Sequence, residues 1–413
     1  MHVLMFGWEF PPFAAGGLAT ATLGLVKGLL ACGTDVTLVV PFAGDVPVTM
    51  PGLRLVHAPE IALGDIDRLI VRRIVSPLTA YGPSGKRAVG DGAWSWSQVY
   101  GEDLWSEVDR LASVAGVIAA REPHDIIDAH DWITYGAGLH ARAVSGRPLV
   151  THIHATEFDR SGAGANPAII DRERAGLTGA DRVISNSALL KRRIVERYGV
   201  DPERVDVIYW GVEPADPESA RVARPFGPDV PVVVFVGRVT RQKGPRYFLE
   251  TVRRVAEFVP EARYIVAGDG DELGTIMGLT AEWGLADRVF FTGGLDRAGV
   301  DAVLAVADVC VMPSVNEPFG LVGLESLRSG TPCILPRESG VAEVVQHAFQ
   351  VDFWDIDEMT NQVVALLRYP ALHAELRAQG LAELAAPRFG LIEPARHTIR
   401  AYRQVLDAVG AGQ

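Results

Sequence analysis

The stretch Val232-Val233-Val234-Phe235-Val236-Gly237-Arg238-Val239-Thr240-Arg241-Gln242-Lys243-Gly244 decides how this chain is read. Its five leading residues are apolar and mostly β-branched, the composition of a buried strand. Gly237 lets the backbone turn where the strand ends, and a helical pattern resumes after Gly244. In open parallel α/β sheets, ligands sit beyond the carboxyl ends of the strands. Arg238 offers forked hydrogen bonds at that place and Lys243 a point charge, a pairing suited to a diphosphate. Either cation alone is an ordinary surface charge; the pair between glycines at a strand end points to anion binding.

The same alternation of short β-rich runs and helical patterns extends in both directions, as expected of parallel α/β sheets. Before the quoted stretch, strands are expected at 3–6, 36–40, 126–129, 149–153, 183–185 and 205–208, with helices at 18–30, 102–120 and 189–198. Residues 54–100 break the rhythm and read as irregular loops. From 232 onward the strands are 232–236, 264–267, 289–291, 309–312 and 333–335. Between the two series, 211–231 carries Pro214, Pro217, Pro225, Pro228 and Pro231 and reads as an interdomain linker. The expected fold class is therefore α/β, with two doubly wound parallel-sheet (Rossmann-like) domains, 1–212 and 213–393, facing across a shared cleft. For the last segment, 394–413, with its helical pattern at about 394–406, the pattern leaves open whether it stays with the second domain or crosses back to the first.

Composition narrows the class of protein. At 413 residues, 48% of them hydrophobic and 22% charged, the chain suits a globular protein with more than one core. It has no uninterrupted apolar run long enough to span a membrane, and no basic, cleavable leader precedes the first strand. The net charge of −12 argues against general affinity for nucleic acid or anionic lipid. Neither half is a basic module, with 20 basic and 25 acidic residues before position 215 and 19 and 26 after it. Cys32, Cys310 and Cys333 have no metal or redox spacing and read as buried hydrophobes in a reducing compartment, so the expected location is cytoplasmic.

Two further stretches carry chemistry. After the first strand comes Gly7-Trp8-Glu9-Phe10-Pro11-Pro12-Phe13-Ala14-Ala15-Gly16-Gly17-Leu18 and a helix. Gly16 and Gly17 let backbone amides at a helix N-terminus approach an anion or a sugar hydroxyl. The spacing is neither a dinucleotide fingerprint nor a Walker loop, and Val40 runs into Pro41-Phe42 with no acidic residue closing the second strand. In the second half, Pro313-Ser314-Val315-Asn316-Glu317-Pro318-Phe319-Gly320-Leu321-Val322-Gly323-Leu324-Glu325 places Glu317 in a loop after an apolar strand. Glu325 follows about two helical turns later, in apolar surroundings unlike those of a solvated acid.

Gly237-Arg238…Lys243-Gly244 followed by Glu317-x7-Glu325 resembles the donor-site signature of retaining GT-B glycosyltransferases of family 4. The Glu-Phe-Pro-Pro…Gly-Gly-Leu opening is similar to that of the same group, with its glycogen- and starch-synthase-like relatives. The resemblance covers nearly the whole chain and is weakest over 43–100. It implies that Arg238 and Lys243 bind the donor diphosphate, Glu317 the transferred sugar, Glu325 the ribose, and Gly16 and Gly17 the donor phosphates and sugar. His154, in Thr151-His152-Ile153-His154-Ala155, matches the family's histidine near the reacting centre. His152 shares its strand face and competes for the role. Asp131, in His130-Asp131-Trp132, matches a carboxylate on the acceptor side. His154, Asp131 and Glu317 are thus the catalytic candidates, and Glu9, Trp94 and Trp96 the acceptor candidates. Aromatics Tyr81, Trp94, Trp96, Tyr100 and Trp105 form either a sugar-stacking platform or loop packing. The basic strips 68–73 and Lys191-Arg192-Arg193 are read as solvated faces.

The resemblance implies a nucleotide-diphosphate sugar as co-substrate, with no cofactor and no metal, and a carbohydrate acceptor, first among them an α-glucan receiving glucose from ADP- or UDP-glucose. Other acceptors, as in sucrose-phosphate, exopolysaccharide or glycolipid synthesis, remain open, as does a nucleotide-sugar epimerase on the same fold. Asp65-Ile66-Asp67 and Asp355-Ile356-Asp357 mimic a metal-binding pair but lack its context.

Overall fold

The computed structural model describes residues 1–10, 16–41, 50–57, 104–214 and 222–411. The chain forms two compact units that divide at Trp210/Gly211 and again at Gly390/Leu391, so the final segment belongs to the first unit.

In the first unit the strands are β1 (His2–Phe6), β2 (Asp35–Val40), β3 (Leu53–His57), β4 (Ile126–His130), β5 (Leu149–Ile153), β6 (Arg182–Ser185) and β7 (Val205–Val207). They make one sheet in the order β3-β2-β1-β4-β5-β6-β7, every pair parallel. Side chains alternate between its faces. Leu4, Phe6, Ile127, Ala129, Leu149 and Ile153 pack with helices Leu104–Arg121 and Trp132–Ser145. Val3, Met5, Leu38, Ile126 and Val150 pack with helices Gly17–Ala31 and Ile392–Ala411. Strand β3 corrects the expectation of irregular loops from residue 54: its Leu53 and Leu55 complete the edge of this apolar layer.

The second unit adds β8 (Val232–Val236), β9 (Arg263–Ala267), β10 (Val289–Gly293), β11 (Val309–Val311), β12 (Cys333–Pro336) and β13 (Phe349–Val351). Their order is β10-β9-β8-β11-β12-β13, again all parallel. The direction of winding reverses between β1 and β4 in one sheet and between β8 and β11 in the other. Those switch points are where such sheets open a crevice for a ligand. Cys310 and Cys333 are paired across β11 and β12, buried and unbridged.

The described part of 211–231 is not a free linker. The Val212 amide donates to the Phe389 carbonyl at 2.7 Å, and Arg224 holds Asp308 and the Val230 carbonyl, so these residues are tied to the second unit.

The C-terminal helix lies so close to helix Gly17–Ala31 that a Cβ on Gly28 would stand 2.5 Å from the Leu391 carbonyl oxygen and 2.7 Å from the Ala395 Cβ. Alanine would gain up to about 1 kcal/mol in helix propensity. Overpacking against a backbone atom costs about 1–3 kcal/mol, so the clash wins. Gly28→Ala is expected to destabilise the first unit and to speed amide exchange in helix Ile392–Ala411. Unchanged exchange there would refute this account of the packing.

Candidate functional site

Strand β4 ends in His130 and β5 is followed at once by His154, so the parallel register brings three histidines together. Asp128, His130 and His152 share the sheet face on which the C-terminal helix packs, and Asp128 has no exposure. Tyr402 of that helix donates its hydroxyl proton to Asp128 Oδ2. The Nε2 atoms of His152 and His130 lie 3.2 and 3.5 Å from the same oxygen. Burial alone would raise the Asp128 pKa, but the His152 and His130 imidazoles pull it far below the usual carboxylate range. His130 Nδ1 sits 2.9 Å from His154 Nε2, and the ring of His154 lies 5.0 Å from that of Trp210. Burial drives the proton affinity of His154 well below that of an ordinary imidazole, and that of His152 in the same direction, so both are neutral near pH 7.

Between the two strand ends the backbone is constrained. Asp131 has φ 60°, the one non-glycine residue with positive φ among those described. Its Oδ1 accepts the His154 amide proton at 2.8 Å, and its own amide donates to the His152 carbonyl at 2.9 Å. Burial pushes the Asp131 pKa up, opposed by the nearby Arg160 guanidinium. Asn186 Nδ2 donates to the His154 carbonyl at 2.9 Å, and Arg160 to that of Ala155 at 2.8 Å. His154 is therefore positioned from several sides. His152 turns its Nε2 toward Asp128, whereas His154 Nδ1 has no hydrogen-bond partner among the described residues.

Gly16 precedes and Gly17 opens helix Gly17–Ala31, whose first turn holds no acidic residue. Among the described residues nothing lies within 4 Å of a Cβ built on Gly17, so packing does not require glycine there, while ligand approach would. Glu9 is buried beside Trp8 and Phe10. Trp94, Trp96, Tyr81, Tyr100 and the 68–73 strip lie outside the described residues. Trp105, still exposed, packs 5.4 Å from Trp132 with Arg172 over its ring. Lys191 holds the Val205 carbonyl and Arg193 pairs with Asp159, so neither is only a solvated charge.

In the second unit, Gly244 has φ +68°, and a Cβ on it would lie 2.0 Å from the Pro313 carbonyl oxygen. That contact seats the turn after β8 against the loop after β11. The Val315 amide donates to the Gln242 carbonyl at 2.9 Å, and the Gln242 side chain to the Asn316 carbonyl at 3.2 Å. Lys243 Nζ consequently meets Glu317 Oε2 at 2.6 Å, with the Ser314 hydroxyl donating to the same oxygen at 2.9 Å. Arg238 donates to Gln242 Oε1 at 3.2 Å. Gln242 thus joins both cations to the loop that carries Glu317. Glu325, buried on helix Leu321–Arg328, is paired with Arg297, which also holds Asp301 at 2.5 Å. Ser314 and Arg297 were not singled out from the sequence, although Arg297 and Asp301 show the four-residue spacing of a helical ion pair. Of the two metal-pair mimics, Asp355 caps helix Ile356–Arg368 and Asp357 pairs with Arg254, while 65–67 lies outside the described residues.

Asp128, His130 and His152 offer ligand atoms within 4.8 Å of one another. The His130 and His152 rings are stacked, with centroids 4.5 Å apart and planes 11° from parallel. Their in-plane lone pairs therefore run side by side and do not converge as a tetrahedral site needs. Both Nε2 atoms face the one Asp128 oxygen without forming a hydrogen bond to it.

Two outcomes follow from these pairings. Lys243→Ala strands a buried carboxylate, whereas Lys243→Ala with Glu317→Gln removes both charges. The double variant should recover about 1–3 kcal/mol relative to additive single effects, measured by denaturant titration of a double-mutant cycle. Additivity would mean the pair is not coupled. Because His152 and His154 bind protons more weakly folded than unfolded, the unfolded chain carries the extra protons in mild acid. Stability should be full above about pH 6.5 and decline as the pH falls below it. His154→Gln should flatten that decline, and an unchanged slope would show that His154 is not held neutral.

Residues 16–211 match the family described as "Glycosyl transferase 4-like domain", and residues 217–381 that described as "Glycosyl transferases group 1". The chain is 31% identical to D-inositol 3-phosphate glycosyltransferase of Mycobacterium marinum, over 73% of this chain and 69% of that one. It is 28% identical to glycogen synthase of Mycobacterium tuberculosis, over 84% of this chain and 80% of that one. In fold it is similar to sucrose-phosphate synthase of Thermosynechococcus elongatus, with a TM-score of 0.78, 23% identity and coverage of 99% and 100%. With its two parallel-sheet, Rossmann-like domains and these relatives, the chain belongs to the GT-B glycosyltransferases with a family-4-like first domain and a group 1 second domain.

Proposed function

We propose that this glycosyltransferase moves a glucosyl unit from ADP- or UDP-glucose to an α-glucan, with retention of anomeric configuration and without a metal ion. The observation that carries the donor half is the Lys243–Glu317 pair at 2.6 Å, anchored with Arg238 through Gln242 at the switch point of the second sheet. Glu317 takes one of the three ammonium donors of Lys243, and a diphosphate would take others. Breaking the sugar–phosphate bond puts negative charge on the departing diphosphate, and Arg238 and Lys243 are the groups to stabilise it in place of a metal. Glu317, held in one position by Lys243 and Ser314, would receive the sugar hydroxyls. Glu325, held by Arg297, would receive the ribose.

For retention, a front-face path needs no protein nucleophile: the departing phosphate oxygen accepts the proton of the incoming hydroxyl. Glu317 is a poor nucleophile in this setting, since one of its oxygens already accepts from both Lys243 and Ser314. His154 would contact the transferred sugar from the first unit, where its neutral ring is suited to hydrogen bonding and not to ionic attraction. Asp131 would act on the acceptor side; it also shapes the His154 backbone. The glucan acceptor is supported by the likeness to glycogen synthase and by the net charge of −12, unfavourable for anionic lipid. Among the described residues no helix is long and apolar enough to cross a membrane.

Nucleotide release from ADP-, UDP- and GDP-sugars, each with and without glycogen or maltooligosaccharide and in the presence of a chelator, tests this directly. Glucan-dependent release from a glucose donor, undiminished by the chelator, is expected. Turnover only with a different acceptor rejects the glucan, loss of turnover in chelator rejects metal independence, and epimerised sugar without acceptor rejects transfer.

A further inference from the structure

We propose that Tyr402, Asp128 and His130 are positioning residues that hold His154 as its Nε2–H tautomer, so that Nδ1 is offered as a hydrogen-bond acceptor to a substrate hydroxyl. This rests on the proposed contact of His154 with the sugar and adds which atom makes it and what fixes the proton.

The inference runs outward from the buried carboxylate. Asp128 Oδ2 receives the Tyr402 hydroxyl proton, and the Nε2 atoms of His152 and His130 face it at 3.2 and 3.5 Å. A nitrogen lone pair facing an ionised oxygen at that range is repelled and an N–H is attracted, so charge attraction, without a formed hydrogen bond, places the proton of each ring on Nε2. A neutral imidazole has one N–H, which leaves His130 Nδ1 as an acceptor. Its neighbour at 2.9 Å is His154 Nε2, and two lone pairs do not approach so closely; His154 must donate. Its single proton is then on Nε2, and Nδ1 carries the lone pair. Burial disfavours a second proton on His152 and on His154, whose rings stack at 4.5 and 5.2 Å from that of His130.

The rest of the surroundings fits this assignment. His154 Nδ1 is buried, and no group among the described residues competes for it. The backbone of His154 is fixed at its amide by Asp131 and at its carbonyl by Asn186, so ring orientation and tautomer are both set before a substrate arrives. Tyr402 is 274 residues from Asp128 in sequence, and places the control of the tautomer on the C-terminal helix.

The test uses the full chain labelled with 15N-histidine, with the His154 resonances identified by their loss in His154→Gln. Wild-type protein near pH 7 should show His154 as neutral Nε2–H; an Nδ1–H tautomer or an imidazolium overturns the proposal. Asp128→Ala should spread the His154 proton over both nitrogens and lower kcat on the order of 10²-fold with nucleotide Kd unchanged. Asp128→Asn, which keeps an oxygen for Tyr402 and His130, should restore the spectrum and most of kcat. A loss of kcat in Asp128→Ala with an unaltered His154 spectrum would show a merely structural role and overturn the relay. Wild-type turnover by His154→Gln would instead remove the substrate contact on which the proposal rests, whatever the spectrum shows.

Discussion

Because every strand pair in both sheets is parallel, all carboxyl ends in a sheet emerge along one edge, and the chemically useful side chains of this protein are gathered there by backbone pairing alone. His130 and His152 are register partners on β4 and β5, so a histidine at each strand end becomes a stacked pair without further design. In the other sheet the ends of β8 and β11 are neighbours, which brings Arg238 and Lys243 to the loop of Glu317. The crossover helices cover both faces of such a sheet, and the strands themselves can be almost wholly apolar.

What departs from an apolar strand then needs an explicit partner. Asp128 is a carboxylate in the middle of β4 with no exposure, a burial that costs several kcal/mol unless charge and hydrogen bonds offset it. Tyr402 supplies a hydrogen bond, and the Nε2 atoms of two imidazoles face the same oxygen. Glu317 is satisfied by Lys243 and Ser314, and Glu325 by Arg297. In each case the buried acid is pinned to one geometry, as a preorganised site requires, since groups already in place need not reorganise as charge develops. Backbone approach is managed separately: Gly244 and Gly268 stand where a Cβ would collide with the Pro313 and Gly237 carbonyl oxygens, 2.0 and 1.8 Å away.

The residues proposed to meet the donor were legible because their pattern is local. Val232–Val236 is apolar throughout, Gly237 and Gly244 punctuate it, and the cations between them have nowhere to lie but the strand-end turn. Glu317 and Glu325 stood out in the same way, as acids in apolar company. Asp128 is equally visible in Ile126-Ile127-Asp128-Ala129-His130, where an acid and a histidine two apart share a strand face, but its partner Tyr402 is too distant in the chain to mark it. Strand β3 was hidden by its neighbourhood, a stretch without the usual alternation, and β13 by Gln350 at the centre of its short segment. The proline-rich 211–231 read as a linker because composition does not reveal that Arg224 is anchored on Asp308.

The sequence by itself determined the α/β alternation, the two sheets, the family and the roster of cations and acids at strand ends, since each depends on periodicity or on residues close together in the chain. Only the tertiary structure decided where the C-terminal helix goes, and with it that Tyr402 meets Asp128. It likewise decided that His152 turns to that carboxylate while His154 does not, and that Arg297 holds Glu325. These outcomes depend on packing a helix against a sheet face and on contacts between residues up to 274 positions apart. No local propensity encodes them, because their free energy exists only once both partners have left water and been fixed side by side.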